Sequence, residues 1–280
     1  MTSQTGKPHT LRVATYNIHK CRGLDQRVHP QRIAQVLGEL DADIVALQEV
    51  VGHGGHSSGD QARYVAEALG YHPAFGENRR HNGAAYGNLL LSRFPVLGFW
   101  NYDITARGRE PRGVLRADVR LAGGHVLHLF NVHLGTAYFE RREQARHMVS
   151  RRILRNAELA GTRIVMGDFN EWIPGEATRL LSAHFGARGL RSHTARRRTY
   201  PCVLPVLCLD HIYFDDSLHL HRMELHRSRR ALVASDHLPV LAEFSFQPRE
   251  AKSLCHEGSL AQGGQTFATQ PVVCNPSPRA

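Results

Sequence analysis

Apolar positions along the chain follow two rhythms. Short runs dense in Ile, Val and Leu, at 11–18, 43–50, 88–92, 114–121, 125–133, 163–166, 209–214 and 240–246, read as β-strands. Between some of them the spacing becomes helical. Ile33, Val36, Leu37 and Leu40 fall at i, i+3, i+4 and i+7, one face of an amphipathic helix. Further helices are predicted over 61–69, stopped by Gly70, over 140–160 and over 176–185. Gly123-Gly124 predicts a hairpin turn between two strands. Strands outnumber helices, and several are joined by hairpin-length turns. That favours two packed sheets with helices outside over one doubly wound parallel sheet.

The rhythm stops near Phe246, which divides the 280-residue chain into a polar N-terminus (1–10), one domain (11–246) and a tail (247–280). The tail is rich in Gly, Ser, Gln and Pro, and is expected to be disordered. No apolar run is long enough to cross a bilayer, and 1–10 carries no signal-peptide core, so a cytoplasmic monomer is expected. Five cysteines, odd in number and without a CxxC pair, argue against a disulfide framework or a zinc ribbon. Cys202 and Cys208 are close enough in sequence to bridge but read as thiols.

A net charge of +10 suits an anionic partner. The excess is almost wholly arginine, with lysine only at Lys7, Lys20 and Lys252, a bias that GC-rich coding produces equally well. Charge therefore supports an anionic substrate, nucleic acid slightly ahead, without identifying one.

Five short polar motifs interrupt the apolar strands near their ends: Tyr16-Asn17, Gln48-Glu49, Asn131-Val-His133, Gly167-Asp168-Phe-Asn170 and Ser235-Asp236-His237. Singly, each has an ordinary explanation as a turn former or a half-buried polar residue. Together they describe strand ends aimed into one cleft.

In this order the motifs resemble the endonuclease/exonuclease/phosphatase superfamily, over about Leu11 to Phe246, with QE, GDFN and SDHLPV as the most specific elements. The resemblance implies a four-layer α/β/β/α sandwich, two mixed sheets flanked by helices, with the site at one sheet edge. It implies Glu49 as the main ligand of a hard divalent cation, Mg²⁺ or Mn²⁺, with Asn17 beside it and Asp236 contributing. Asp168 would activate water, Asn170 would donate to the phosphate, and His237 would hold a non-bridging oxygen. Asp210, in CLDHIYF, would fix the tautomer of His237 and raise its pKa. His133 would be the general acid on the leaving-group side.

Some branches fit less well. Abasic-site endonucleases usually carry tyrosine at the position of His133. Inositol-polyphosphate 5-phosphatases carry GDxNYR, whereas this chain has GDFNEW. In deoxyribonuclease I a glutamate supports the histidine equivalent to His133; AAYGNLLLS offers no acid there, leaving Asn88 as a replacement. Bacterial sphingomyelinases are secreted, which the polar N-terminus does not suggest. The chain is most similar to small bacterial members of the superfamily. The expected activity is a phosphodiesterase acting on nucleic acid or another phosphodiester. The alternatives are a phospholipid or sphingomyelin-type phosphodiesterase or phosphatase at a membrane surface and, in another class, a catalytically weak binding module.

Three accessory features remain. Of Arg107, Arg109, Arg112 and Arg116, at least one could reach a phosphate bidentately, with solvated surface arginine as the alternative reading for each. The loop from His53 to Asp60 and the basic stretch Arg196 to Arg198 read more simply as solvated surface than as a second metal site or a phosphate clamp. Arginines of the 140–160 helix form an outer stripe that suits anionic lipid or nucleic acid, or simply water.

Overall fold

The computed structural model describes residues 9–54, 59–185 and 198–246. The expectations for 1–8 and for the tail at 247–280 lie outside the described residues.

Eleven strands form two sheets. The first contains β1 (His9–Asn17), β2 (Ile44–Val51), β3 (His72–His81), β4 (Ala84–Ser92), β10 (Leu218–Leu225) and β11 (Val240–Phe246), in the order β10-β11-β1-β2-β4-β3. The second contains β5 (Val96–Asp103), β6 (Gly113–Arg120), β7 (Val126–His133), β8 (Thr162–Asp168) and β9 (Asp210–Phe214), in chain order. Pairing is antiparallel except between β1 and β2 and between β7 and β8. Each parallel pair is bridged by a helix, α1 (Pro30–Leu40) or α3 (Tyr138–Met148), because a parallel crossover needs length that a hairpin lacks.

Period-2 alternation sorts side chains between two interfaces. From β1, Leu11 and Val13 point into the inter-sheet core with Ile44, Leu115, Leu129, Ile164, Ile212 and Phe244. Its Ala14 and Tyr16 face outward, against Ile33, Val36 and Leu40 of α1, Val65 of α2 (Gln61–Leu69) and Ala231 of α5 (Ala231–Ala234). On the second sheet Phe130, Val132 and Val165 cover Ala145 and Met148 of α3 and Leu181 of α4 (Glu176–His184). The layers are α/β/β/α, as the resemblance implies. Strands buried on both faces become nearly continuous apolar runs; every residue of β4 is buried.

Two expectations need correction. The helix expected over 140–160 ends at Met148, and Ile153, Leu154 and Leu159 reach the core from turns instead. Strands β3, β5 and β10, not anticipated from the sequence, are all edge strands, and each carries the polar positions that keep an edge from pairing further.

Candidate functional site

The polar motifs converge on one edge of the sandwich. Asn17 ends β1, His133 ends β7 and Asp168 ends β8, whereas Asp210 begins β9 and Asp236-His237 precede β11. Antiparallel pairing brings both kinds of end to the same place, with Asp168 directly opposite Asp210.

Glu49 gets there by a bulge. Pairing of β2 with β4 slips between Leu47 and Val50, and Glu49 adopts φ +58°, a left-handed conformation that re-aims its side chain. Gln48 then turns inward. Its Nε2 donates to Thr15 Oγ1 (3.1 Å) and Asn131 Oδ1 (2.8 Å), while Asn131 Nδ2 donates to the carbonyls of Leu47 (2.8 Å) and Leu89 (2.9 Å). This buried amide knot ties the two sheets together beneath the site. Gly167 serves the same edge: a Cβ there would overlap the Val132 carbonyl oxygen, and its φ is +148°.

Asp168 is the hub and is fully buried. Its Oδ1 accepts the Asn170 backbone N–H (2.9 Å); its Oδ2 accepts Asn17 Nδ2 (3.0 Å) and faces His133 Nε2 (3.6 Å) and His237 Nε2 (3.7 Å). Burial raises its pKa above the usual carboxylate range, partly offset by His237. On the other side of His237, Nδ1 lies 2.9 Å from Asp210 Oδ2. Burial disfavours the imidazolium, but Asp210 and Asp168 outweigh it, and the pKa is raised to about 10. His237 is thus charged at neutral pH, with Nε2 facing Asp168 Oδ2.

His133 is the opposite case. Its Nδ1 lies 3.1 Å from Arg112 Nη1, and Arg112 is anchored on Glu110 (2.8 Å). Because a guanidinium only donates, Nδ1 must accept and the proton sits on Nε2. Burial and then Arg112 lower the pKa to about 4, so this imidazole is neutral at neutral pH. Arg112, not Asn88, is therefore the support of His133; Asn88 Nδ2 instead donates to the carbonyls of Gly113 and Asn131.

Glu49 is held by Lys20, whose Nζ is 2.6 Å from Oε2, and by Asn17 Nδ2 at 3.2 Å from Oε1. Burial works against its ionised form, yet His133, Lys20 and Asn17 keep the carboxyl well below the usual range. Asn17 thus spaces Glu49 from Asp168, its Oδ1 accepting the His19 N–H (3.0 Å). Asp236 reaches the same strand end through Ser235, whose hydroxyl donates to the Asn17 carbonyl (2.7 Å); its own carboxylate lies 3.6 Å from His19 Nδ1. One Asn170 amide N–H is committed to the Leu134 carbonyl (2.9 Å), leaving the second for a ligand.

Among the described residues one group of three possible metal donors lies within 4.8 Å of one another: Asp168, Asp210 and His237. Within this group His237 Nδ1 lies 2.9 Å from Asp210 Oδ2 and its Nε2 3.7 Å from Asp168 Oδ2, the geometry of an ion-pair relay. Hard oxygens at Glu49, with an ammonium already on one of them, fit a divalent cation better.

A profile of the Endonuclease/Exonuclease/phosphatase family matches residues 14–237. The chain belongs to this family. Members are hydrolases of phosphate esters. The chain is 32% identical to YbhP of Escherichia coli (strain K12), itself an uncharacterized protein, over 87% of this chain and 99% of YbhP. Among solved structures it is similar to an endonuclease/exonuclease/phosphatase from Beutenbergia cavernae (24% identity, TM-score 0.66, covering 85% of this chain and 72% of that one). It is also similar to the Bacteroides thetaiotaomicron mannosyl-6-phosphatase Bt3783 (21% identity, TM-score 0.65, covering 84% and 100%). At these identities the structural likeness is one of fold.

Lys20 and the pairing of Arg112 with His133 were not read from the sequence. Lys20 had a signal, being one of only three lysines in an arginine-rich chain and next to the Asn17 motif. Of the other arginines singled out, Arg116 is buried against Asp118, which also holds His128 (2.7 Å), and serves the fold; Arg107 and Arg109 are exposed. Residues 55–58 of the histidine loop, and Arg196 and Arg197, lie outside the described residues. Among the described residues no helix is long and apolar enough to cross a membrane.

Proposed function

We propose that the chain is a Mg²⁺- or Mn²⁺-dependent phosphoric ester hydrolase, a phosphodiesterase in the first instance. The observation that supports it is the buried Asp168 set between a charged His237 and a neutral His133, beside Glu49. Glu49, with Asn17 and Asp236, would hold the cation, which when bound supplies charge neutralisation at the phosphate and its leaving oxygen.

Asp168, its basicity raised by burial, takes the proton of the attacking water, a role typically worth about 10²–10⁴-fold. The new P–O bond forms as the ester P–O bond breaks. His237 donates Nε2–H to a non-bridging oxygen, and Asp210 keeps that imidazolium charged through the reaction. His133, neutral and fixed as the Nε2–H tautomer by Arg112, donates a hydrogen bond to the phosphate from the other side. In this reading it is a hydrogen-bond donor to the departing oxygen and not a charged acid; that oxygen leaves as the alkoxide and takes its proton from solvent water. The free N–H of Asn170 supplies a further donor.

The test is turnover of bis-p-nitrophenyl phosphate, with p-nitrophenyl phosphate as the monoester comparison that the mannosyl-6-phosphatase likeness suggests. Activity should require Mg²⁺ or Mn²⁺, fall by about 10²-fold or more in Asp168→Ala, and need more cation in Glu49→Ala. Equal rates in wild type and Asp168→Ala would sink the reading.

A further inference from the structure

Large apolar side chains exposed to water are distributed unevenly on this molecule. Among the described residues, every one that is more than half exposed sits on one of three segments at the catalytic edge, two loops and the first turn of α3. Tyr138 and Phe139 (55% and 75% exposed) follow His133 across a short loop. Trp172 and Ile173 (68% and 78%) come just after Asn170. Val203, Leu204 and Val206 (64%, 73% and 52%) occupy the loop that leads to Asp210. That loop is fixed to the site: the Cys202 N–H donates to the Asp236 carbonyl (2.8 Å), and the Tyr200 ring lies 5.0 Å from that of His237. All other exposed large apolar side chains are 38–46% exposed.

Scattered exposed apolar residues are ordinary; a cluster ringing one site marks an interaction surface. Charge at the same edge narrows the partner. Arg22, Arg107, Arg109 and Arg227 are exposed on loops and Arg142 lies on α3 close to Phe139, and none of them forms an ion pair with a described residue. Apolar loop tips set among unpaired arginines match a surface with an anionic skin and a hydrocarbon interior. Nucleic acid shares the anionic skin and could stack on Tyr138, Phe139 or Trp172, but four of the seven side chains, Ile173, Val203, Leu204 and Val206, are aliphatic, which suits hydrocarbon better than bases.

We propose that the catalytic edge is a docking face for an anionic lipid bilayer, the three apolar segments entering the headgroup layer, and that the substrate is a phosphate ester borne by a lipid. This rests on the hydrolase reading above and adds its substrate class. It accounts for an exposed rim that soluble esters do not need, since each loop tip gains burial only when something apolar covers it.

The full-length chain is tested by co-sedimentation with vesicles of phosphatidylglycerol and phosphatidylcholine, and by Trp172 emission with brominated acyl chains. Binding to anionic vesicles with quenching of Trp172 is expected. The combined variant Phe139→Ser, Trp172→Ser, Leu204→Ser should bind vesicles about a hundredfold more weakly. Its thermal unfolding midpoint should match that of wild type, because the replaced side chains are solvated. Wild type that neither sediments nor shows quenching overturns the proposal, whatever the variant does. So does a folded variant that binds as well as wild type, or one whose loss is confined to a single-stranded oligonucleotide. Turnover of soluble bis-p-nitrophenyl phosphate by wild type reports on the hydrolase reading separately. Turnover without vesicle binding removes only the docking face; vesicle binding without turnover removes only the hydrolase.

Discussion

Asp210→Asn isolates one carboxylate charge beneath the site. In the wild type His237 is sandwiched, with Asp210 Oδ2 2.9 Å from Nδ1 and Asp168 Oδ2 3.7 Å from Nε2. Asparagine keeps an oxygen that accepts the Nδ1 proton but removes the charge that makes the imidazolium tolerable in a buried place. Burial then dominates, and the pKa of His237 should fall from about 10 toward or below its ordinary value of 6.5. The linkage has a definite sign. A pKa raised on folding stabilises the protein fully below about pH 6.5 and loses that contribution as pH rises through about 10. Across the window the slope reaches at most about 1.4 kcal/mol per pH unit, giving a few kcal/mol in total. Breaking a buried pair outright costs about 3–5 kcal/mol, and the retained hydrogen bond should bring the loss toward the lower end at neutral pH. Urea unfolding of both proteins in chelator, at about pH 6, 8 and 10, measures this directly. The gap between them should be widest at the lowest pH and narrow toward the highest, since other titrating groups are common to both. A gap of constant size across that range would refute the charged-His237 argument.

Two further perturbations address the supports of the site. Arg112→Gln removes the charge next to His133 while keeping a donor for Nδ1, so the His133 pKa should rise from about 4 but stay below normal, because burial is the larger cause. An NMR titration of that ring reads it, and an unmoved pKa would mean Arg112 does not set it. Gly167→Ala should cost about 3 kcal/mol or more, since the new methyl meets the Val132 carbonyl at a backbone φ of +148°. An unchanged urea midpoint would show that β7 and β8 can part there without penalty.

What could be read from the sequence was what a single strand or helix expresses by itself. Central strands such as β2 and β4 are buried on both faces, and their apolar density is unmistakable. Three of the four sheet edges, β3, β5 and β10, could not be read, because an edge strand mixes half-exposed polar and apolar positions without a clean period. The overlong helix has a related cause. Ala145, Met148, Val149 and Ile153 all enter the core, but the last two do so from turns, and apolar spacing alone does not distinguish a helix from turns that bury the same residues. At the site, residues that end strands were legible by position. Arg112 was visible as one of four arginines, but its choice of His133, 21 residues away, follows from the pairing of β6 with β7.

The two histidines also show why residue type alone was insufficient. Both are buried and both face Asp168 Oδ2 at nearly the same distance, 3.6 and 3.7 Å. What separates them is the group on the far nitrogen, a carboxylate for His237 and a guanidinium for His133. The first makes a cation that balances Asp168; the second makes a neutral donor that leaves Asp168 its negative charge. Two imidazoliums would neutralise the base and hinder proton abstraction, while two neutral rings would leave a phosphate with weaker hydrogen bonds. One of each gives a base that remains basic beside an anion-binding charge. The far-side partners, Asp210 and Arg112, therefore decide the chemistry as much as the histidines that would touch the substrate.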